Sequence, residues 1–282
     1  MASTLEDLQA QVVEQGSSSG AFRQIAHYVT HHWRDVSLMS AVELAEACDV
    51  SQSTVSRFCM GLGFAGFAEF VRTLQDLVRE EWKAPDRTRY LRRSASADDD
   101  PLIAEEMANL SQLPTLSQSA DSKAMVQFVL RSPRLILAGA RASATVIPYA
   151  AYFFSKIRDG VECATPDTPV WTALASRVQP DTAVLAFVFP RYSSALLDWL
   201  GDVAHWATPI AAITDRRNSP VESLARPVAV VPVARASLFD SYAAVMVFIN
   251  YIIREAAAAT PNIEARLQAL EDYETRRRVY RP

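Results

Sequence analysis

The chain has 282 residues, is half hydrophobic, carries 21% charged residues and has a formal net charge of −4. Its length favours two domains, because single hydrophobic cores stop growing at about 250–300 residues, and its composition is that of a globular protein. The sequence has no apolar run of the roughly 18 residues that predict a membrane span, no secretory signal in its opening MASTLEDLQAQ, and no close pairing among its three cysteines, Cys48, Cys59 and Cys163.

Residues 1–83 show helical periodicity without a strand-like run, which predicts an all-α domain. Helices are expected over 21–31, from Ser40 onward, over 52–62 and over 67–82. The second and third helices are separated only by the polar segment 48–51, which is short enough to form a tight turn. The third helix ends at a Gly-Leu-Gly sequence, and glycine favours a helix C-cap.

The third helix has an apolar and a polar face. The apolar face is formed by Val55, Phe58, Cys59 and Leu62, which recur at helical spacing. We assign DNA contacts to the polar residues Gln52, Ser53, Thr54, Ser56 and Arg57, with Ser51 as the N-cap. Such side chains bond base edges or phosphates in the major groove. The same spacing fits the polar face of any small helical bundle, and both interpretations remain open at this point.

The charge of this domain counts against DNA binding. Residues 1–83 contain six Lys and Arg against eleven Asp and Glu, a balance of 6 − 11 = −5, whereas DNA-binding domains are usually basic. A dimer with a local basic patch, to which Arg87, Arg89, Arg92 and Arg93 would contribute, is compatible with the composition.

The region 84–120 is expected to be a linker and a connecting helix. Its first part, APDRTRYLRRSASADDD, combines charged and small residues without apolar periodicity. This composition is typical of a linker.

Beyond residue 120, short β-rich runs alternate with helical patterns. Strands are expected at 135–138, 161–164, 183–189, 210–214 and 228–231, and helices at 144–156, 171–178, 194–206 and 240–258. This alternation predicts βαβ units and a parallel sheet buried on both faces. The sequence therefore predicts an α/β domain over 121–258, followed by a C-terminal helix and tail over 259–282.

One stretch of the first domain resembles a known family. The pattern S-x-x-T-V-x-R-F-x-x-x-L-G-F-x-G-F runs from Ser51 to Phe67, and it is similar to the helix-turn-helix of the RpiR family of bacterial transcription regulators. Members of that family carry a C-terminal sugar isomerase (SIS) domain, and the α/β half of this chain lies where one is expected. The resemblance implies a DNA-binding domain followed by a flavodoxin-like, SIS-type parallel sheet.

In a flavodoxin-like sheet, the first and third strands lie side by side, and ligands bind beyond their carboxyl ends. Here those ends are followed by the loops 139–143 and 189–194, each with an arginine and a hydroxyl that precedes a helix. Helix N-termini attract anions. We predict an effector site for a phosphorylated or carboxylated metabolite at Arg141, Ser143, Arg191, Tyr192, Ser193 and Ser194. The alternative is that the serines only cap helices and both arginines are solvated.

The second loop departs from the pattern of the family. SIS domains that bind sugar phosphates have S-x-S-G-x-T there, with serine hydroxyls that bond the phosphate. The resemblance aligns the two serines with Val188 and Pro190, the glycine with Arg191 and the threonine with Ser193. Either Arg191 replaces the serine contacts, or the effector is a different anion.

The sequence thus indicates a cytoplasmic transcription regulator controlled by a small anionic metabolite, a sugar phosphate or a related carbohydrate-derived anion. The expected partners are double-stranded operator DNA, the metabolite and further copies of the chain, as a homodimer or higher homo-oligomer. No catalytic residue, metal, cofactor or membrane contact is predicted. The alternative is an SIS-type sugar-phosphate isomerase or binding protein, and an isomerase needs a general base near the sugar carbons.

Overall fold

The computed structural model describes residues 5–78, 85–88, 101–176, 181–234 and 237–279. The chain divides into two compact units, Met1–Asp98 and Asp99–Pro282. Each unit has a hydrophobic core of its own, as domains do. The predicted multidomain organisation is confirmed.

Residues 5–78 of the first unit form five helices. They are α1 (Leu5–Gly16), α2 (Gly20–Val36), α3 (Ala41–Ala47), α4 (Gln52–Gly61) and α5 (Phe67–Val78). The first of these was not predicted; it packs along α2 and adds Leu8 and Val12 to the core. At the centre of that core, the fully buried Phe58 ring meets Phe22 edge-on, with 5.3 Å between centroids. The prediction of an all-α first domain is confirmed.

The connection from α3 to α4 is defined by side-chain caps at both helix starts. Ser40 and Glu43 form a reciprocal capping box on α3, in which Ser40 N donates to Glu43 Oε2 at 2.6 Å. Asp49, between the helices, has a left-handed backbone with φ of 51°, which Asp tolerates better than most residues. The predicted tight turn therefore joins two capped helices.

The second unit begins with α6 (Pro101–Ser117) and α7 (Ala120–Arg131). The sequence pattern assigned α6 to the connecting region 84–120, but it packs against α7 and the later helix α11 (Ala243–Ala259) and places Leu113 in the core. Residues 101–117 are thus part of the folded second unit. Within the predicted linker, residue 84 and residues 89–100 lie outside the described residues.

A five-stranded parallel sheet forms the centre of the second unit. Its strands are β1 (Arg134–Ala138), β2 (Val161–Ala164), β3 (Thr182–Val188), β4 (Ile210–Thr214) and β5 (Val228–Val230), in the order β2-β1-β3-β4-β5. This is the flavodoxin-like order. Every residue of β3 is buried, as expected for a central strand covered on both faces. The prediction of a flavodoxin-like α/β domain is confirmed.

Helices cover both faces of this sheet. One core joins α7, α8 (Ile147–Ile157) and α11 to Leu137 and Phe187, and the other joins α9 (Pro169–Ser176) and α10 (Ser194–His205) to Ile136 and Val184. A 3₁₀ turn, Arg141–Val146, precedes α8 where one continuous helix was predicted, and α11 begins at residue 243 rather than 240. Because both faces are covered, the loops at the carboxyl ends of the strands are where a fold of this kind binds ligands.

The last described helix, α12 (Ile263–Arg277), lies against α8 and has no buried residue. It is attached by polar contacts: Arg266 donates to two carbonyl oxygens of α8, and Lys156 pairs with Glu274 at 3.1 Å. In the described part of the chain, no single helix is long and apolar enough to cross a membrane. Helices α11 and α12 pass that test only as a pair, across a bend of 112°.

Two of the three cysteines are core residues of the first unit. Burial raises the pKa of Cys48 to about 11 and that of Cys59 to about 12, because desolvation disfavours the thiolate. Cys163, in the second unit, is half-buried, and burial also raises its pKa. These thiols are therefore protonated at neutral pH and weak nucleophiles. Among the described residues, no group of three His, Cys, Asp or Glu side chains is placed to hold a metal ion.

Replacing Phe58 with alanine is expected to lower the free energy of unfolding of the first unit by about 3–5 kcal/mol, because it empties a fully buried aromatic site. The matched control is Met60→Ala on the same helix, where the side chain is 52% exposed and the cost should stay below about 0.5 kcal/mol. Urea unfolding followed by circular dichroism measures both. Equal losses in the two variants would contradict this packing of α4.

Candidate DNA-binding helix and ligand cleft

The five residues predicted to contact DNA lie on the outer side of α4. The side chains of Gln52, Ser53 and Arg57 are exposed, and those of Thr54 and Ser56 are half-buried. The predicted inner stripe faces the core, with Val55, Phe58 and Cys59 buried. The helical spacing in the sequence therefore separates the two faces of α4 correctly.

Hydrogen bonds organise the polar groups at the start of α4. Ser51 Oγ accepts the backbone N–H of Thr54 at 3.2 Å, and it lies 2.8 Å from the hydroxyl oxygens of both Ser53 and Thr54. Arg57 Nη2 donates to Thr54 Oγ1 at 3.3 Å. A capped helix N-terminus with hydroxyls and a guanidinium beside it has the groups that bind phosphates in DNA complexes.

A cleft of about 520 Å³ opens beyond the carboxyl ends of β1 and β3. It is lined by two strand-to-helix loops and by a third segment before α11: Ala140, Arg141, Ala142, Ser143, Pro190, Arg191, Ser193, Phe239, Asp240 and Tyr242. Four of the six predicted effector residues are therefore brought together: Arg141, Ser143, Arg191 and Ser193. The register of the sheet explains this, because Ala138 of β1 pairs with Ala186 of β3 and the two loops leave the same edge.

Both arginines of the cleft have a left-handed backbone, with φ of 56° at Arg141 and at Arg191. Their side chains are exposed. Outside glycine, this conformation costs roughly 1–2 kcal/mol per residue, and such strain persists only where the surroundings impose it. The cleft therefore places a guanidinium on each of two loops at a conformational cost.

The two serines of the cleft accept hydrogen bonds from the backbone and also line the cavity. Ser143 is 7% exposed, and its Oγ accepts the N–H of Phe189 at 3.2 Å, which joins the β1 loop to the end of β3. Ser193 Oγ accepts the N–H of Leu196 at 3.4 Å and caps α10. A hydroxyl that accepts a bond still carries one O–H donor. Ser193 therefore caps its helix, and each of the two hydroxyls still carries one O–H donor.

Two of the predicted effector residues do not line the cleft. Tyr192 turns to the other side of its loop, where its ring packs against the core under α9 and α10 and its hydroxyl donates to Asp215 Oδ1 at 2.7 Å. Ser194 is the exposed first residue of α10. The sequence shows that these residues are adjacent to Arg191 and Ser193, but not which side of the loop each one faces.

The third wall of the cleft, Phe239, Asp240 and Tyr242, was not predicted. Phe239 is 68% exposed, and the Tyr242 ring lies 4.9 Å from that of Phe189. These residues immediately precede α11, so they stand at a further helix start on the same edge of the sheet. The sequence signal for this wall was an aromatic residue next to an acid, just before the last long helix. These residues match no motif, so the sequence analysis did not single them out.

Comparison with known families assigns both units. Residues 10–80 match the helix-turn-helix domain of the rpiR family, and residues 129–254 match the SIS domain. The chain belongs to the RpiR family of transcription regulators. In this RpiR-family chain, α4 and the cleft lie within the two matched regions.

This RpiR-family chain is similar to a named relative and to two solved structures. An uncharacterized HTH-type transcriptional regulator of Caldanaerobacter subterraneus subsp. tengcongensis is 27% identical over 231 residues, 78% of each chain. The sugar isomerase domain of an RpiR transcription factor from Sphaerobacter thermophilus has a TM-score of 0.56 at 20% identity, covering 61% of this chain and 96% of that one. The Vibrio vulnificus NanR protein complexed with ManNAc-6P has a TM-score of 0.48 at 19% identity, over 95% and 98% of the two chains.

The strain at Arg191 can be measured in this RpiR-family chain by comparing glycine with alanine at that position. Arg191→Gly should be more stable than Arg191→Ala by about 1 kcal/mol, since only glycine adopts a positive φ without a steric cost. Denaturant unfolding of the two variants measures the difference. At Arg216, whose φ is not in this region, the same pair should show the opposite order, with glycine the less stable. A less stable glycine at both positions would contradict the backbone assigned to Arg191.

Proposed function

We propose that this chain is a cytoplasmic regulator that binds operator DNA through α4 and releases or engages it when a small anionic metabolite occupies the cleft. The observation that carries the proposal is the pair of strained arginines, Arg141 and Arg191, on adjacent loops at the ligand-binding edge of the sheet. Membership of the RpiR family supports the DNA-binding half. The expected ligand is a sugar phosphate or a related carbohydrate-derived anion, as the SIS domain supports.

The chemistry of the cleft favours an anion. A guanidinium offers a planar fork of donors that matches carboxylate and phosphate oxygens. The cleft also contains Ser193 at the N-terminus of the 12-residue helix α10, where backbone N–H groups and the helix dipole attract negative charge. We therefore assign anion binding to Arg141, Arg191, Ser143 and Ser193, with each of the two loops supplying one arginine and one serine.

On the DNA side, we propose that Gln52, Ser53, Thr54, Ser56 and Arg57 contact the operator. The chain has a net charge of −4, so affinity must come from a local surface rather than from overall attraction. Two copies of α4 in a homodimer would reach successive half-sites of a palindromic operator. The proposed unit of function is therefore at least a dimer.

An isomerase is the second candidate, and one residue favours it. Asp240 lines the cleft, and a carboxylate can serve as the general base that aldose–ketose isomerisation requires. Of the described residues that line the cleft, it is the only acid, and none is histidine. We favour sensing because one acid beside two arginines is more suited to binding than to moving protons. Assays of hexose-phosphate turnover by the purified protein distinguish the two candidates.

Arg57→Ala is expected to weaken binding to a DNA fragment from upstream of the protein's own gene by roughly 5- to 150-fold, equivalent to the 1–3 kcal/mol of a base contact. Fluorescence anisotropy at fixed salt gives the affinities. Arg72→Ala is the matched control, because it removes the same charge from the exposed surface of α5 in the same unit. Similar losses of DNA affinity in both variants would show that only the net charge of the unit matters, and they would contradict a direct contact between Arg57 and DNA.

A thermal-shift screen of phosphorylated and carboxylated metabolites tests the cleft. A true effector at about 100 times its Kd should raise the melting temperature of the parent protein by roughly 5–10 °C. Arg191→Ala should remove most of the shift, Arg191→Lys should retain more of it but not all because lysine lacks the fork, and Arg131→Ala, on the exposed surface of α7, should leave it unchanged. A metabolite that stabilises the parent and Arg191→Ala equally binds elsewhere.

A further inference from the structure

We propose that Tyr192 and Asp215 form a positioning pair that holds the strained loop at Arg191 in its ligand-binding conformation. This inference rests on the proposed function of the cleft. It assigns Tyr192 a role other than the direct ligand contact predicted from the sequence. The pair acts on the backbone next to Arg191 rather than on the ligand.

The first support is the bond itself. Tyr192 Oη donates to Asp215 Oδ1 at 2.7 Å, and Asp215 is only 6% exposed. A short hydrogen bond to a buried carboxylate is stronger than one between neutral groups, because little water competes for it. The phenol is therefore fixed at one point on the end of β4.

The second support is the rigidity of the anchor. Asp215 directly follows Thr214, the last residue of β4, which is fully buried. Thr214 Oγ1 donates to Val188 O, at the end of β3, at 2.8 Å. The same two residues are register partners in the sheet. The carboxylate thus stands on a strand end that is itself bonded to the strand from which the Arg191 loop leaves.

The third support is the direction of adjacent side chains. Arg191 lines the cleft, whereas Tyr192 packs its ring against the core on the other side and lies 5.6 Å from the Arg216 guanidinium. Ser193 follows and caps α10. The backbone at Arg191 is therefore held on its C-terminal side by both a side-chain tether and a helix cap. The tether and the cap together stabilise the left-handed backbone of Arg191, which would otherwise relax. They also keep the guanidinium directed at the cleft.

The test is a double-mutant cycle on the full chain with inorganic phosphate as the probe, measured by titration calorimetry. Tyr192→Phe keeps the ring and removes only the hydroxyl, so folding should be preserved. In the parent protein, we expect Tyr192→Phe to weaken phosphate binding about tenfold, which is the effect of losing one hydrogen bond to a charged group. In the Arg191→Ala background it should change affinity by less than about twofold. Asp215→Asn, which keeps an acceptor oxygen but loses the charge, should weaken phosphate binding less than Tyr192→Phe does.

Equal losses from Tyr192→Phe in both backgrounds would show that Tyr192 does not act through Arg191 and would overturn the inference. So would a loss from Arg191→Ala with none from Tyr192→Phe.

Hydrogen exchange without ligand separates this inference from the proposed function. Tyr192→Phe should speed amide exchange at residues 191–193 while leaving 141–143 unchanged. Unchanged exchange at 191–193 overturns the tether. If exchange at 191–193 is faster but Arg191→Ala leaves phosphate binding unchanged, the tether is supported. The proposed anion site at Arg191 is then overturned instead.

Discussion

The parallel pairing of β1 with β3 determines where the cleft of this protein lies. Their register ends both strands at one edge, so two loops that are distant in sequence leave the sheet side by side. The bond from Phe189 N to Ser143 Oγ then ties one loop to the other. Covered faces leave that edge as the accessible part of the sheet, and two helix starts and two guanidiniums meet there because the strands do. The position of the cleft therefore depends on the order of the strands more than on any single side chain.

Much of this architecture can be predicted from the sequence, for a physical reason. A strand such as β3, buried along its whole length, must be continuously apolar, and α4 must carry its apolar residues at helical spacing. Parallel strands also have their carboxyl ends at one edge, so the meeting of Arg141 with Arg191 could be inferred without coordinates. Helix α1 was missed, and α6 was expected only as a connecting helix. Both lack such strong constraints, since each covers a core from one side.

The side of a loop on which a residue lies was harder to predict. After Pro190, the directions of Arg191 and Tyr192 depend on the φ of Arg191, and a positive φ at an arginine has no local signature in the sequence. The Phe239 wall depends on the path taken after β5, which is set by packing over the finished sheet. Both features arise from tertiary structure. Motif reasoning could place the site but could not assign every side chain to it.

The left-handed backbone of Arg191 has a consequence for the shape of the cleft. A glycine would hold that conformation by itself, but an arginine holds it only while β3, β4 and the base of α10 remain packed. The geometry of the cleft is therefore a property of the assembled sheet, and small losses of packing in that sheet should distort the cleft well before the domain unfolds. Under the function proposed above, substitutions in the buried ends of β3 and β4 would yield variants that still bind DNA but no longer respond to the metabolite.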